Sequence, residues 1–393
     1  MIYKRKLKEV LIKEVQKSKI VVITGMRQVG KTTLLLDIYN SINSENKVFI
    51  DLENPLNQKI FEEKNFENIL FNLKEIGLRS SKNAFVFIDE IQLMPEIVKP
   101  IKYLYDHYKI KFFLSGSSRF YLKDLFPESL AGRKIIYELF PLDFEEFLIF
   151  KGKEKKFVLD FDGKVKNKSK INYEIFKNYY DEYLKFGGFP AVVKEDDVER
   201  KKMILNDIFK SYFEKDVRSL SNFKNINKFR DTILLLAARC GSKIEISKIS
   251  SKIGISRETL YSYITFLEKT YFISLVQPFS KSINGEVRGA KKVYFCDTGL
   301  LNYLAKVSEG NLFENAVFNS LKKIGKINYY ERYKGGEIDF IIDGKIGIEV
   351  KIMPAKADLK RLIRVANKIM LKKFFLVSKN FCDFENVILA QDL

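Results

Sequence analysis

The most chemically specific stretch of the sequence is a short glycine-rich segment that ends in a lysine and two threonines. Residues 25–32 read GMRQVGKT and fit the pattern GxxxxGK[ST] of a phosphate-binding loop. In such a loop, Lys31 lies near the β- and γ-phosphates and the Thr32 hydroxyl can hold Mg²⁺. An apolar strand pattern precedes the loop and a helical pattern follows it, as the motif requires. The sequence therefore predicts a site for ATP and Mg²⁺ whose contacts are Gly25, Gln28, Val29, Gly30, Lys31, Thr32 and Thr33.

Two adjacent carboxylates form the second specific group. Asp89 and Glu90 directly follow the apolar run of residues 84–88. An acid at the end of such a strand helps to hold Mg²⁺, and a neighbouring group orients the attacking water. We therefore predict that Asp89 binds the metal and that Glu90 is the catalytic base. The alternative is a core strand that merely ends in solvated acids, and the complete loop upstream makes that alternative less favourable.

Further apolar runs alternate with helical patterns, which indicates a parallel sheet. Ser117 follows the fourth strand and is predicted to contact the γ-phosphate, although Ser115 also qualifies. Arg133 precedes the fifth strand and is predicted to act as an arginine finger on a neighbouring subunit's nucleotide, which would require a homo-oligomer. A solvated charge is the alternative for Arg133. The strands other than those at the two motifs are predicted at residues 47–52, 111–115 and 134–139.

Composition and cysteine usage limit the classes of protein that fit this chain. Its 393 residues are 46 % hydrophobic, which predicts several globular domains. No window approaches 18 consecutive apolar residues, so we expect no membrane span. The three cysteines have no metal-ligand spacing, and His107 is the single histidine, which argues against a zinc site and a Ser–His–Asp triad. We expect a cytoplasmic protein.

The positive charge is distributed unevenly along the chain. Residues 1–150 carry 23 Lys and Arg against 20 Asp and Glu, whereas residues 151–393 carry 46 against 30. Net charges of +3 and +16 follow for the two parts. A strongly basic half predicts a polyanion partner, and we expect that partner to be DNA. A lysine-rich surface without a specific partner is the alternative, but it would spread the charge evenly.

Residues 236–297 have the pattern of a winged helix. A short amphipathic helix at 246–253, a turn at Gly254 and a second helix at 257–267 precede two strand patterns at 271–278 and 291–297. In DNA-binding proteins of this type, the second helix enters the major groove and the wing reaches phosphates. A protein–protein module is the alternative. The predicted DNA contacts are Arg257, Thr259, Tyr261, Arg288, Lys291 and Lys292.

A second constellation of charged residues lies near the end of the chain. Asp339 lies on one strand pattern, and Glu349 and Lys351 lie two residues apart on the next, so the latter two share a face. With Glu314 from an upstream helix, Asp339 and Glu349 could hold a divalent metal while Lys351 activates a water against a phosphodiester. This set is typical of PD-(D/E)xK nucleases, with Glu349 and Lys351 as catalytic residues. An exposed hairpin with alternating charges is the alternative.

The order of these motifs resembles that of archaeal and bacterial AAA+-type ATPases with a C-terminal winged helix and a PD-(D/E)xK-like domain. To the motifs above the resemblance adds Leu130-Ala131-Gly132-Arg133 and Gly187-Gly188-Phe189-Pro190. It implies an α/β fold with a P-loop parallel-sheet ATPase core (1–150), a helical lid (151–235), a winged helix-turn-helix (236–297) and a small α/β nuclease-like domain (298–393).

The resemblance implies an ATP-hydrolysing protein whose nucleotide state controls a basic DNA-binding module that could also cleave DNA. The alternative is an ATP-switched DNA-binding regulator or a protein-partner scaffold without nuclease activity. A second sensor arginine, which AAA+ proteins usually carry in the lid, is left open among Arg218, Arg230 and Arg239.

Overall fold

The computed structural model describes residues 4–80, 82–117, 132–218, 223, 225–280, 286, 289–332 and 336–393. The chain divides into a first unit, Met1–Phe140 with Lys269–Tyr271, and a second unit, Pro141–Glu268 with Phe272–Leu393. Arg288, one of the predicted DNA contacts, lies outside the described residues. Within these ranges, no helix has both the length and the apolar character that crossing a bilayer requires.

The first unit is built on a five-stranded sheet in which all neighbouring strands are parallel. Its strands are β1 Ile20–Thr24, β2 Lys47–Asp51, β3 Phe85–Asp89, β4 Lys111–Gly116 and β5 Lys134–Glu138. Its helices are α1 Lys6–Glu14, α2 Lys31–Ser41, α3 Pro55–Gln58, α4 Phe66–Glu75 and α5 Val98–Tyr108. The five strands predicted from the sequence are confirmed.

The strand order is β2-β3-β4-β1-β5, so β4 lies between β1 and β3. Every residue of β1 and β4 is buried, which explains why both strands are almost continuously apolar rather than alternating. Because the strands are parallel, the carboxyl ends of β1, β3 and β4 meet at one edge of the sheet. This edge is where open α/β sheets bind ligands.

The second unit begins with a series of helices, as the sequence predicts for residues 151–235. These are α6 Phe144–Phe150, α7 Phe161–Lys166, α8 Lys170–Phe186, α9 Pro190–Lys194, α10 Val198–Ser211 and α11 Ile226–Ala237. A π-helical turn, Tyr212–Val217, continues α10. That these helices act as a lid stays a prediction.

The two predicted helices of the helix-turn-helix are present. They are α12 Ile246–Ile253, which ends at Gly254, and α13 Arg257–Lys269. The Ser256 hydroxyl accepts a hydrogen bond from the Thr259 backbone N–H at 3.1 Å, which caps the first turn of α13. That this pair of helices binds DNA stays a prediction.

The second unit also contains a seven-stranded mixed sheet in the order β12-β11-β10-β9-β8-β6-β7. Its strands are β6 Ile273–Pro278, β7 Lys292–Phe295, β8 Ile327–Arg332, β9 Gly336–Ile342, β10 Ile346–Lys351, β11 Lys373–Ser378 and β12 Val387–Leu389. The helices of this region are α14 Thr298–Leu304, α15 Glu309–Leu321 and α16 Lys356–Lys368.

The predicted wing hairpin is part of this sheet. β6 and β7 pair antiparallel, as predicted, but β6 also pairs in parallel with β8 through Gln277 with Asn328 and Pro278 with Tyr329. The hairpin and the strands after residue 298 therefore share one hydrogen-bonded sheet. No local pattern predicts this connection, because it joins segments about 50 residues apart.

The Gly187-Gly188 pair packs against Asp297, which precedes α14. The Asp297 carboxylate accepts hydrogen bonds from the backbone N–H groups of Gly188 at 2.7 Å and Leu300 at 2.9 Å. A Cβ on Gly188 would lie 2.1 Å from the carbonyl oxygen of Leu142. The pair is therefore glycine because the backbone approaches its neighbours too closely for a side chain.

Candidate functional site

The phosphate-binding loop connects β1 to the first residue of α2. Gly30 precedes α2 with φ 94°, a left-handed conformation that glycine adopts without strain. Lys31 is 4 % exposed, and its Nζ donates to the carbonyl oxygens of Gly25 and Met26, both at 3.1 Å. The ammonium group is thus folded over the loop rather than extended into solvent. Val29 is buried, whereas Gln28, Thr32 and Thr33 are exposed.

Asp89 lies beside the loop at the end of β3. The Ser115 hydroxyl donates to Asp89 Oδ1, and the Thr32 hydroxyl is close enough to the same carboxylate to influence its pKa. Burial raises the pKa of Asp89 to about 6, with a further contribution from the charge of Glu90, while the Thr32 hydroxyl and the charge of Lys31 oppose the shift. The structure thus brings together Thr32, Asp89 and Ser115. Oxygen atoms of the first two are ligands of the type that Mg²⁺ prefers, and the Ser115 hydroxyl holds the Asp89 carboxylate in place.

Glu90 is buried and has a left-handed backbone conformation, with φ 56° and ψ 44°. The amide Nε2 of Gln92 donates to the Glu90 carboxylate. The Gln92 Oε1 accepts a hydrogen bond from the backbone N–H of Ser117 at 3.3 Å. Sequence reasoning missed Gln92, although a lone amide between Ile91 and Leu93 was a weak signal that its side chain has a specific partner.

Arg5 is a second residue that the sequence did not reveal. Its side chain is buried, and its guanidinium donates to the carbonyl oxygens of Val29 and Phe140, both at 2.8 Å. Arg5 therefore ties the phosphate-binding loop to the chain segment that follows β5. Nothing local in the sequence distinguishes this arginine from the other basic residues near the start of the chain.

Arg133 lies away from this site within its own chain. Because β5 is parallel to β1, the residue before β5 lies at the amino ends of the strands, opposite the phosphate-binding loop. Its Nε donates to Asp106 at 2.7 Å. A role at a neighbouring subunit's nucleotide stays a prediction.

The second candidate site is the charged cluster on β9 and β10. The register pairs Phe340 with Ile348, so Asp339 and Glu349 are the next facing pair. The backbone N–H of Val350 donates to Asp339 Oδ2 at 2.7 Å. Burial, followed by the negative charges of Glu314 and Glu349, raises the pKa of Asp339 well above its usual range. The structure therefore brings the three predicted acids into electrostatic contact.

Cations surround these acids. Lys351 Nζ lies 2.9 Å from Glu349 Oε1, and the Arg361 guanidinium lies 2.8 Å from the same oxygen. Burial alone would lower the pKa of Lys351, but the charges of Glu349 and Asp339 outweigh it and raise that pKa. Arg361, on α16, was also missed by the sequence analysis.

A divalent cation fits this cluster in part. Glu349 is 3 % exposed, and its Oε2 has no hydrogen-bond partner. Such a buried oxygen lacks the partner that buried polar atoms normally have. In the described part of the chain, however, no three His, Cys, Asp or Glu side chains are arranged as a ready metal site. Arg361 and Lys351 take up the other oxygen of Glu349.

The prediction that Lys292 contacts DNA is wrong. This lysine was expected at the wing tip, but it is 4 % exposed and its Nζ lies 2.7 Å from Glu337. Burial alone would lower the pKa of Lys292, but Glu314 and Glu337 raise it. Its neighbour Tyr294 donates to Glu314 at 2.6 Å. The pairing of β7 with β6 turns both side chains toward the acid cluster rather than toward solvent.

Comparison with known proteins agrees with the architecture of the first site. A family model described as an AAA domain matches residues 17–148, and two domains of unknown function, DUF8612 and DUF4143, match residues 177–311 and 309–386. The uncharacterized protein MJ1544 of Methanocaldococcus jannaschii is 32 % identical over 346 residues, which cover 84 % of this chain and 73 % of MJ1544.

The chain belongs to the family of MJ1544. An uncharacterized protein of Haemophilus influenzae is 27 % identical over 333 residues, which cover 81 % of this chain and 78 % of that protein. Among solved structures, the Walker-type ATPase PABY2304 of Pyrococcus abyssi is 16 % identical with a TM-score of 0.52, covering 77 % of this chain and 96 % of that chain. This likeness shows the fold. The first unit is a P-loop ATPase domain on a parallel sheet.

The remaining predicted DNA contacts of this MJ1544-family chain lie mainly on α13. Arg257 and Tyr261 are exposed, the latter at 57 %. Thr259 is half-buried, and its hydroxyl lies 3.1 Å from that of Ser256. Lys291 is half-buried. Among the predicted contacts that the structure describes, Arg257 and Tyr261 are thus the exposed ones.

Proposed function

We propose that this protein binds and hydrolyses Mg²⁺·ATP at the carboxyl edge of the first sheet. The observation that carries the proposal is the placement of two groups at one edge of the sheet: the loop after β1 with Lys31 folded over it, and the buried Asp89 at the end of β3. Thr32 and Asp89 would hold Mg²⁺, whose positive charge would offset the negative charge that develops on the phosphates during hydrolysis.

The other residues of the site have separate tasks in this proposal. Lys31 exchanges its contacts with the Gly25 and Met26 carbonyls for the phosphate oxygens of ATP. Glu90 accepts a proton from the attacking water and orients it toward the γ-phosphate. Ser117, at the end of β4, is the candidate that senses the presence of that phosphate.

The proposal extends to control of a DNA-binding module by the nucleotide. Its support is the net charge of +16 on residues 151–393, together with the exposed Arg257 and Tyr261 on α13. Contacts from basic side chains to phosphates are weakened by salt, because binding releases counterions from DNA. We therefore expect DNA to stimulate ATP hydrolysis at low salt and to lose this effect as salt rises.

The test is the rate of ATP hydrolysis with and without duplex DNA, at about 50 mM and about 200 mM salt, where phosphate contacts differ most in strength. Lys31→Ala should abolish turnover because it removes the charge on the phosphates, and Glu90→Gln should bind ATP but hydrolyse it at least about a hundredfold more slowly. Lys64→Ala and Glu75→Gln, both at exposed positions of the first unit, serve as controls.

Undiminished turnover in Lys31→Ala and Glu90→Gln would contradict the assignment of the site. A second outcome is that both variants lose turnover while the wild-type rate does not respond to DNA at either salt concentration. The assignment of the ATPase site would then hold, and a protein partner would replace DNA as the molecule coupled to hydrolysis.

A second candidate function is metal-dependent cleavage of DNA by the cluster on β9 and β10. It is favoured by the unpartnered Oε2 of Glu349 and the mutual proximity of Glu314, Asp339 and Glu349. Asp339 and Glu349 would hold the divalent metal, which would supply Lewis-acid chemistry for attack on a phosphodiester. In this proposal Lys351 orients the attacking water, and the Arg361 guanidinium would have to release the Glu349 carboxylate that it now contacts.

The test for cleavage is nicking of a supercoiled plasmid in Mg²⁺ or Mn²⁺. Lys351→Ala should lose at least about a hundredfold in nicking rate, because it removes the group that positions the water. Lys345→Ala, in the turn between the same two strands, should cleave normally. Absence of nicking by the wild-type protein in either metal would favour an ATP-switched DNA-binding regulator.

A further inference from the structure

The Gln92 side chain forms a bridge between two strands of the first sheet. It is 5 % exposed, and it lies in the 3₁₀ turn Ile91–Leu93 that directly follows Glu90. One end of the amide donates to the Glu90 carboxylate, and the other accepts from the backbone N–H of Ser117. Glu90 follows β3 and Ser117 follows β4, so the amide spans the ends of neighbouring strands.

The two partners fix the orientation of the amide. An ionised carboxylate can only accept hydrogen bonds, and a backbone N–H can only donate one. Rotating the amide by half a turn would bring its oxygen against the Glu90 carboxylate and its NH₂ group against the Ser117 N–H. A glutamine therefore satisfies both neighbours in one orientation, whereas neither a glutamate nor an apolar side chain of the same length can do so.

The contact also accounts for how the Glu90 carboxylate is held. In the described part of the chain, Gln92 is the side chain that hydrogen-bonds the Glu90 carboxylate. The left-handed backbone of Glu90 is an unfavourable conformation for a non-glycine residue, and such residues are concentrated at functional sites. Its backbone N–H donates to Asp89 Oδ1 at 3.0 Å, which ties the main chain to the acid of the proposed metal site.

We infer that Gln92 is a positioning residue that holds the Glu90 carboxylate in its hydrolytic orientation and links that orientation to the position of Ser117. The inference rests on the proposed hydrolysis of ATP by the first unit. Gln92 touches neither phosphate nor water in this scheme. Its effect passes through Glu90, so removing it should slow turnover without weakening nucleotide binding.

The test compares Gln92→Met with Gln92→Glu. Methionine keeps the length of the side chain but makes neither hydrogen bond. Glutamate keeps an oxygen for Ser117 but repels Glu90. We expect each variant to lower kcat about tenfold to a hundredfold, as displaced catalytic groups do, with an unchanged dissociation constant for ATP. Gln58→Met removes a half-buried amide elsewhere in the same unit and should leave both constants unchanged.

A double-variant comparison separates positioning from a general effect on the fold. In a Glu90→Gln background, Gln92→Met should cause little further loss, because the group through which Gln92 acts has already been disabled. Independent, multiplicative losses would overturn the inference, as would a weakened affinity for ATP or a kcat at or above the wild-type value in Gln92→Met.

These outcomes are distinct from failure of the proposed function. If the wild-type protein does not hydrolyse ATP, or Lys31→Ala hydrolyses it equally well, the proposed function fails and the inference about Gln92 fails with it. If Lys31→Ala and Glu90→Gln are inactive while Gln92→Met turns over normally, the inference alone is wrong.

Discussion

Asp89 must be ionised to bind a cation, yet its surroundings favour the protonated form. Burial raises the pKa of this carboxyl from 3.8 to about 6, and the neighbouring charge of Glu90 adds to the shift. A proton and Mg²⁺ therefore compete for the same oxygens at a pH only slightly below neutrality. The Thr32 hydroxyl, the charge of Lys31 and the Glu90 backbone N–H partly offset this tendency, because they favour the charged form.

The pH dependence of Mg²⁺ binding follows from this competition. Above about pH 6 Asp89 is charged and available, and as pH falls through about 6 it becomes protonated, so the affinity for Mg²⁺ should fall by up to about tenfold per pH unit. The measurement is the Mg²⁺-dependent part of the ATP affinity between pH 5 and pH 8.

The control for this experiment is Asp89→Asn, because the terminal phosphate of ATP titrates in a similar range. The variant should bind Mg²⁺·ATP weakly at every pH, and what pH dependence it retains belongs to the nucleotide. An identical pH profile for the wild-type protein and Asp89→Asn would show that Asp89 does not hold the metal.

Among the secondary-structure elements, the start of α14 and the end of α8 are joined by hydrogen bonds that involve two consecutive residues. Asp297 caps α14 through the Leu300 N–H and at the same time accepts from the Gly188 N–H, which lies just beyond α8. Thr298 adds a hydrogen bond from its hydroxyl to the Tyr183 carbonyl at 3.1 Å. Two helices that lie more than 100 residues apart in sequence are thereby fixed at one corner.

Gly188→Ala should destabilise the second unit. Its added methyl group would lie 2.1 Å from the Leu142 carbonyl, a backbone atom that cannot rotate away. Overpacking of this kind costs about 1–3 kcal/mol. Calorimetry should therefore show a lower unfolding temperature for the second unit and an unchanged affinity for ATP in the first.

Gly310→Ala is the matched control, because it lies in the helix α15 and a Cβ there meets nothing closer than 3.8 Å. Alanine should leave the stability of the second unit unchanged or raise it by up to about 1 kcal/mol, because it restricts the unfolded chain without strain in the folded one. Equal unfolding temperatures for the two variants would show that the backbone around Gly188 can move to accommodate a methyl group without loss of stability.

On the scale of the whole molecule, the chain consists of two units rather than a series of separate modules along the sequence. The helices predicted as a lid and the C-terminal strands fall in the same unit. Lys155, for example, is buried and pairs with Asp392 at 2.6 Å, and Phe161 stacks on Phe375. The basic residues that give residues 151–393 their charge of +16 therefore lie mainly in the second unit.

The sequence was sufficient to predict features that are encoded locally. The loop at Gly25–Thr32, the strand that ends at Asp89 and the helix capped by Ser256 each depend on neighbouring residues, and each is present in the structure. The short turn between β9 and β10 was also sufficient to predict that Asp339 and Glu349 lie opposite each other on neighbouring strands. Roles in catalysis for these residues stay predictions.

Features that depend on distant segments were not predictable in the same way. Lys292 was expected at the surface because it lies near the predicted wing tip, but its environment is set by the acids of β9 and α15. Gln92 and Arg5 have partners in β4 and in the segment after β5. A periodic pattern indicates which face of a strand is buried, but not which charged groups will be brought against it.

The parallel pairing of β6 with β8 has a consequence for how this protein can be divided. A fragment that starts at residue 298 would lack Lys292 and Tyr294, and its β8 would become an open edge with unpaired backbone groups. Open edges of this kind invite pairing with other chains and aggregation. Truncation at the border suggested by the sequence would therefore remove both a neutralising charge from the acid cluster and the cover of the sheet. Work on the C-terminal chemistry calls for a chain that retains the hairpin.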